Sequence, residues 1–188
     1  MYKKGFALII IITLGLCACA GPSSQFKKNV IAEMQNNNFE NAISKIKDNK
    51  DDYGSRDESL YFLDLSIPQT SLYQNTDALE SLNKAELLQD ALFAQSVSAK
   101  VGSFVVNDYT EPYRLLPFEQ AYLYFYKAQN YLALNNKEGA GVEIRKMVHF
   151  LDKNRESTGK DIAFLQYFAG LIFSFNLLSE KSRKLVLG

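Results

Sequence analysis

Apolar residues along this chain recur at intervals of three and four, and almost nothing after residue 24 alternates with a period of two. That spacing gathers one apolar face on a helix of 3.6 residues per turn. It predicts a first helix capped by Ser23 or Ser24 and running through Gln35, with Phe26, Val30, Ile31 and Met34 on one side. Asn36, Asn37 and Asn38 end it, because Asn favours turns and caps. A second helix spans Phe39 to Lys47 with Phe39, Ala42, Ile43 and Ile46 inward, and 48–54 reads as a polar linker. A third begins near Asp57 and ends or kinks at Pro68. A fourth covers 76–86, a fifth 89–104, and 107–116 is a loop with Pro112 in it and Pro117 just beyond. Two strong helices follow over 117–134 and 137–153, then a turn at 156–159 and a last helix over 160–178.

Inside the second helix of each pair a small residue lies four positions before a large aliphatic one, on one face. Ala42 precedes Ile46, Ala78 precedes Leu82 and Ala140 precedes Ile144. Ala128 lies twelve residues before Ala140, with Tyr131 following it. This arrangement resembles the tetratricopeptide repeat, a helix–turn–helix unit of ~34 residues with small residues at its eighth and twentieth positions and a Tyr at its eleventh. The resemblance implies small residues where two helices cross closely. A larger side chain there would force them apart at a cost of ~1–3 kcal/mol. Ala42 and Ala78 are 36 residues apart, whereas Ala78 and Ala140 are 62 apart, so an insertion separates the later units. The expected fold class is therefore all-α, antiparallel helical hairpins of tetratricopeptide-like type forming a short α-solenoid over residues 25–188. A generic helical bundle with alanines at close contacts is the alternative.

The N-terminus has a different pattern. Lys3 and Lys4 precede an apolar run from Phe6 to Leu16, too short for a permanent membrane helix, which needs ~20 residues. Leu16-Cys17-Ala18-Cys19 resembles the lipobox of bacterial lipoproteins, with Leu at −3, small residues before the cut and Cys at +1. The resemblance implies a signal peptide over 1–18, cleavage between Ala18 and Cys19, and acylation of Cys19 followed by a short tether over 19–24. Several acyl chains anchor firmly where one is marginal. An ordinary secretory signal cut after Ala18 or Ala20, or a permanent N-terminal anchor, are the alternatives. Ala20 in place of Asp after the Cys implies the inner leaflet of the outer membrane, facing the periplasm, in a Gram-negative host. In a Gram-positive host it implies the outer face of the plasma membrane.

Residues 107–146 resemble the central region of a largely uncharacterised family of bacterial lipoproteins with tetratricopeptide-like repeats. The matching positions are Asp108, Tyr109, Glu111, Pro112, Tyr113, Glu119, the run Tyr131-Leu132-Ala133-Leu134, and Val142, Glu143, Arg145 and Lys146. Lys146 stands where the family has a second Arg, and the chain stops at Gly188 where members typically continue. The resemblance implies fold and address and brings no catalytic residue.

Composition changes the functional picture in three ways. The 188 residues are 47% hydrophobic, enough for a core. The chain holds 21 Lys+Arg against 21 Asp+Glu, which removes the electrostatic case for nucleic-acid binding. Loss of residues 1–18 takes Lys3 and Lys4 with it, leaving 19 against 21, a formal charge of −2. Two Cys and one His exclude a tetrahedral zinc site built from Cys and His alone. No Gly-rich phosphate loop follows a strand, so no cofactor is expected.

His149, with Arg145 and Asp152 one turn to either side, is the sole candidate base for the alternative of an envelope hydrolase. Glu143 and Arg145 read as charge partners of the 107–119 loop, where Asp108, Arg114 and Glu119 complement them.

Eight aromatic residues lie between Tyr109 and Tyr131. Phe118, Tyr122, Phe125 and Tyr126 fall on one helical stripe and read as packing. Tyr109, Tyr113, Tyr124 and Arg114 are the candidate partner-binding surface, since Tyr supplies large contact area at low entropy cost. The apolar run from Ile162 to Leu178 reads as a buried repeat helix rather than a membrane span. A solenoid normally ends in a polar cap, so this helix is a candidate for self-association or partner docking. Together these features describe a membrane-anchored interaction scaffold of the bacterial envelope with an accessory role in assembly or secretion. Its expected partners are the bilayer, an envelope protein and a second copy of itself.

Overall fold

Ser23 opens the first helix, its Oγ accepting the Phe26 N–H at 3.1 Å, and α1 runs Ser24–Gln35. The computed structural model describes residues 23–99, 112–154 and 163–174. Within them follow α2 (Phe39–Asp48), α3 (Lys50–Tyr53), α4 (Glu58–Ser71), α5 (Asn75–Ala99), α6 (Pro117–Ala133), α7 (Lys137–Lys153) and α8 over 163–174. No strand occurs among the described residues. The protein is all-helical, with adjacent helices packed on one another.

Three connections are built alike, those of α1–α2, α4–α5 and α6–α7. Each places one residue in the left-handed region: Asn37 (φ 59°), Tyr73 (φ 59°) and Asn135 (φ 58°). The next N–H donates five residues back, from Asn38 to Glu33 (2.9 Å), Gln74 to Gln69 (2.9 Å) and Asn136 to Tyr131 (2.8 Å). The left-handed residue itself donates three back, to Met34, Thr70 and Leu132. This double closure satisfies carbonyls that a helix end leaves open. Asn tolerates the left-handed region; exposed Tyr73 does so at a cost of about 1–2 kcal/mol. Four residues after each closure comes Ala42, Ala78 or Ala140, and four after that Ile46, Leu82 or Ile144. All six are fully buried.

Three apolar clusters fill the interior. Val30, Ala42, Ile43, Ile46, Tyr53, Tyr61 and Leu65 join α1 through α4. Leu82 and Ala85 of α5 meet Leu123 of α6. Ala121, Ala128, Ala140, Ile144, Met147 and Leu151 meet Leu165, Ala169 and Ile172 of α8. At Gly139 the α6–α7 pair leaves no room for a side chain, since an added Cβ would lie 2.8 Å from the Tyr131 ring.

Several expected boundaries move. Ser23 and Ser24 belong to the folded body, not to a tether. The linker at 48–54 holds a helical turn, because Tyr53 is buried with its ring 6.1 Å from Phe26 and 5.4 Å from Tyr61, both edge-on. Gly54 closes that turn at φ 58°, ψ −173°, a conformation open essentially to glycine. Pro68 does not end α4. It lies in the last turn, buried, and the hydroxyls of Ser66, Thr70 and Ser71 bond the carbonyls of Leu63, Ser66 and Ile67 around it. The expected fourth and fifth helices are one continuous α5, since 75–99 contains no Gly or Pro; what interrupts its apolar stripe is Leu87, which is exposed. Ile31 is exposed rather than inward. Ala18, Cys19, Tyr109, the stretch 100–111 and residues 175–188 lie outside the described residues.

Candidate interaction surface

The expected stripe of α6 is split, with Phe125 and Tyr126 packed against the core and Phe118 and Tyr122 turned outward. The buried residues of α6 are Ala121, Leu123, Lys127, Ala128 and Asn130, whereas Phe118 and Tyr122 are exposed and Phe125 and Tyr126 half-buried. The exposed side lines a cavity of about 330 Å³ against α4. Leu60, Leu63 and Ile67 of α4 and Phe118, Tyr122 and Tyr126 of α6 form its apolar walls. Both sets follow helical spacing, one stripe per helix. The Tyr122 ring stands 6.0 Å from Phe125 and 6.5 Å from Tyr126. Phe125 extends the aromatic surface to Phe164 (5.4 Å) and Phe168 (4.7 Å) of α8. On α8 Leu165, Ala169 and Ile172 are buried, while Phe164, Tyr167 and Leu171 are exposed at i, i+3 and i+7.

Two carboxylates line the same groove, Asp64 and Glu119. Asp64 accepts from the Tyr53 hydroxyl at 2.9 Å. Burial pushes the Asp64 carboxyl above the usual range, and Glu119 adds to this; the Tyr53 bond and the charge of Lys27 oppose it. Glu119 accepts from the Tyr113 hydroxyl at 2.8 and 2.7 Å and from the Leu116 N–H at 2.9 Å, closing the start of α6. Burial and the Glu119 carboxylate push the Tyr113 hydroxyl pKa up.

The four surface candidates do not form one site. Tyr113 is half-buried and tied to Glu119, and its N–H donates to the Arg56 carbonyl at 2.9 Å. Tyr124 and Arg114 come together instead at a second cavity of about 390 Å³ between α5, the 112–116 segment and α7. The Tyr124 ring packs 6.2 Å from Phe150, with Lys146 5.8 Å from its centroid. Gln89, buried on α5, holds the extended segment. Its amide donates to the Tyr113 carbonyl (2.9 Å) and to Ser59 Oγ (2.7 Å), while its oxygen accepts the Leu115 N–H (2.9 Å).

Glu143 does not serve the 107–119 loop. It is buried beside Lys127, 3.0 Å away, and Lys127 also pairs with Glu86 of α5. Lys146 reaches Glu86 at 2.9 Å and Glu143 at 3.4 Å. Burial pushes the Glu86 carboxyl up, but hydrogen bonds from the two lysines outweigh it and hold it below the usual range. The sequence signal was present: Lys127 is the only cation of α6, and it sits beside Ala128 on the buried face. A second polar joint runs from Asn130 Nδ2 to Thr70 Oγ1 at 2.8 Å.

His149 and Asp152 are exposed, and no hydrogen bond or ion pair joins them among the described residues. Among the described residues no group of three His, Cys, Asp or Glu is placed to hold a metal, and no helix is long and apolar enough to cross a membrane.

Fold and groove together define a class: an all-helical protein whose hairpins present an aromatic groove that holds two carboxylates. Comparison with protein-family models, curated proteins and solved structures returned no match.

Proposed function

We propose that this chain is a lipid-anchored helical-repeat interaction module of the bacterial envelope, tethered through Cys19 and docking an envelope protein on the side of α4, α6 and α8. The observation that supports docking most is the aromatic surface in which Phe118, Tyr122 and Phe164 remain exposed, with half-buried Phe125 in ring contact with both Tyr122 and Phe164. Repeat character is supported by the three identically closed turns, each followed at the same interval by a buried alanine and a buried aliphatic residue. The lipobox-like Leu16-Cys17-Ala18-Cys19 and the lipoprotein resemblance of 107–146 support the address. In a Gram-negative host that address is the periplasmic face of the outer membrane. The apolar outer side of α8 is the place for self-association.

Site-specific photo-crosslinking in the native envelope tests docking. With a photoreactive residue at Tyr122, one discrete protein adduct is expected, absent when the probe sits at exposed Arg145 of α7. Equal diffuse labelling from both positions contradicts the proposal.

A further inference from the structure

The groove between α4 and α6 has two chemistries in one cavity, and they select one kind of occupant. Leu63, Ile67, Tyr122 and Tyr126 offer apolar walls, while Asp64 and Glu119 bring two carboxylates to the same space. The volume, about 330 Å³, is at the small end of ligand cavities and suits inserted side chains.

Neither carboxylate forms an ion pair among the described residues; the pairs there join Glu33 to Lys45, Glu80 to Lys84, and Glu86 and Glu143 to Lys127 and Lys146. Facing Asp64 are the Tyr53 hydroxyl of α3, the more distant charge of Lys27 on α1, and Glu119 of α6, which is repulsive. Facing Glu119 are the Tyr113 hydroxyl and the Leu116 N–H, both neutral donors. The groove is thus negative and short of cations. Anionic phosphate headgroups are repelled from it, whereas a lysine or arginine gains both carboxylates and the nearby tyrosine faces.

We infer that the α4–α6 groove takes a partner protein segment bearing large apolar side chains and a lysine or arginine that lies against Asp64 and Glu119. This rests on the docking role proposed above and names the chemistry of its partner.

The test pans the full chain in detergent against a displayed random dodecapeptide library and measures the selected peptides by fluorescence polarisation. Selected sequences are expected to combine two or more large apolar residues with a Lys or Arg. Tyr122→Ala is expected to weaken them at least tenfold. Asp64→Asn is expected to weaken them about tenfold and to leave a lysine-to-norleucine analogue unaffected; Asn still accepts the Tyr53 hydrogen bond, so folding is retained, as circular dichroism verifies. Adding Glu119→Gln is expected to deepen the loss. Binding should also fade as falling pH protonates Asp64, whose carboxyl burial holds above the usual range.

Peptides with no basic bias, or unchanged affinity in Asp64→Asn, overturn the charge assignment while Tyr122 sensitivity leaves the docking role standing. Tyr122-dependent binding to phosphatidylglycerol vesicles, or Tyr122-dependent self-association in place of peptide binding, overturns the inference as well. Failure to select any peptide, together with no adduct from position 122, overturns both.

Discussion

Lys127→Met is expected to destabilise the folded chain by about 3–5 kcal/mol, the cost of leaving buried charge without its partner. Lys127 and Glu143 are each about 95% buried or more, and Lys127 also pairs with Glu86. Removing the lysine leaves Glu143, one of whose oxygens already lacks a partner, and Glu86 dependent on Lys146, itself 42% exposed. Urea denaturation followed by circular dichroism measures the effect. The companion variant Lys127→Met with Glu143→Met removes both charges and is expected to regain most of the loss, because apolar replacements of buried pairs are often neutral or better. The network also sets an acid limit. Glu86 has a folded pKa below its ordinary 4.5, so its contribution is present above that value and is lost as pH falls through the folded one. A Lys127→Met loss below 1 kcal/mol would show that the network is hydrated and marginal.

Leu82→Ala is the second large effect, expected at about 2–5 kcal/mol. Leu82 is fully buried on α5 against Ala85 and Leu123, with Phe62, Leu63, Leu115, Tyr124 and Tyr126 around it. These residues come from both hairpins and from the 112–116 segment, so a cavity here loosens the joint that sets α4 against α6. Leu87→Ala, five residues along the same helix but exposed, is the control and should stay within about 0.5 kcal/mol. Thermal unfolding of the two variants side by side separates them; equal shifts would mean that this joint is not packed as described.

Most of the helical framework was legible in the sequence because its signals are local. The apolar spacing starts this helix at Lys137, and α7 begins there, with Asn136 accepting the Gly139 N–H at 2.8 Å. The alanines at 42, 78 and 140 are fully buried, as their spacing on the inward face predicts. The rest depends on partners far along the chain. Lys127 meets an acid 41 residues away, and Asn130 meets Thr70 across 60. Without those partners Lys127 and Asn130 read as the outer side of the helix, which is how Phe118 and Tyr122 came to be expected inward. Breakers mislead for a similar reason: Pro68 reads as a stop, but it removes only the one N–H bond to the Asp64 carbonyl, and neighbouring hydroxyls bond the carbonyls of Leu63 and Ser66 around it. The groove joins residues from two helices more than fifty positions apart, so Asp64 and Glu119 could not be paired by spacing.

The proposed role puts the covalent chemistry of this chain at Cys19 and makes the folded body a docking surface held at a membrane. Metabolic labelling with a clickable fatty acid in a bacterial host, combined with membrane fractionation, tests it most directly. Cys19→Ser is expected to abolish labelling and release the chain from the membrane fraction, while Cys17→Ser keeps both. Equal labelling of the two variants, or membrane retention of an unlabelled Cys19→Ser chain, would contradict it.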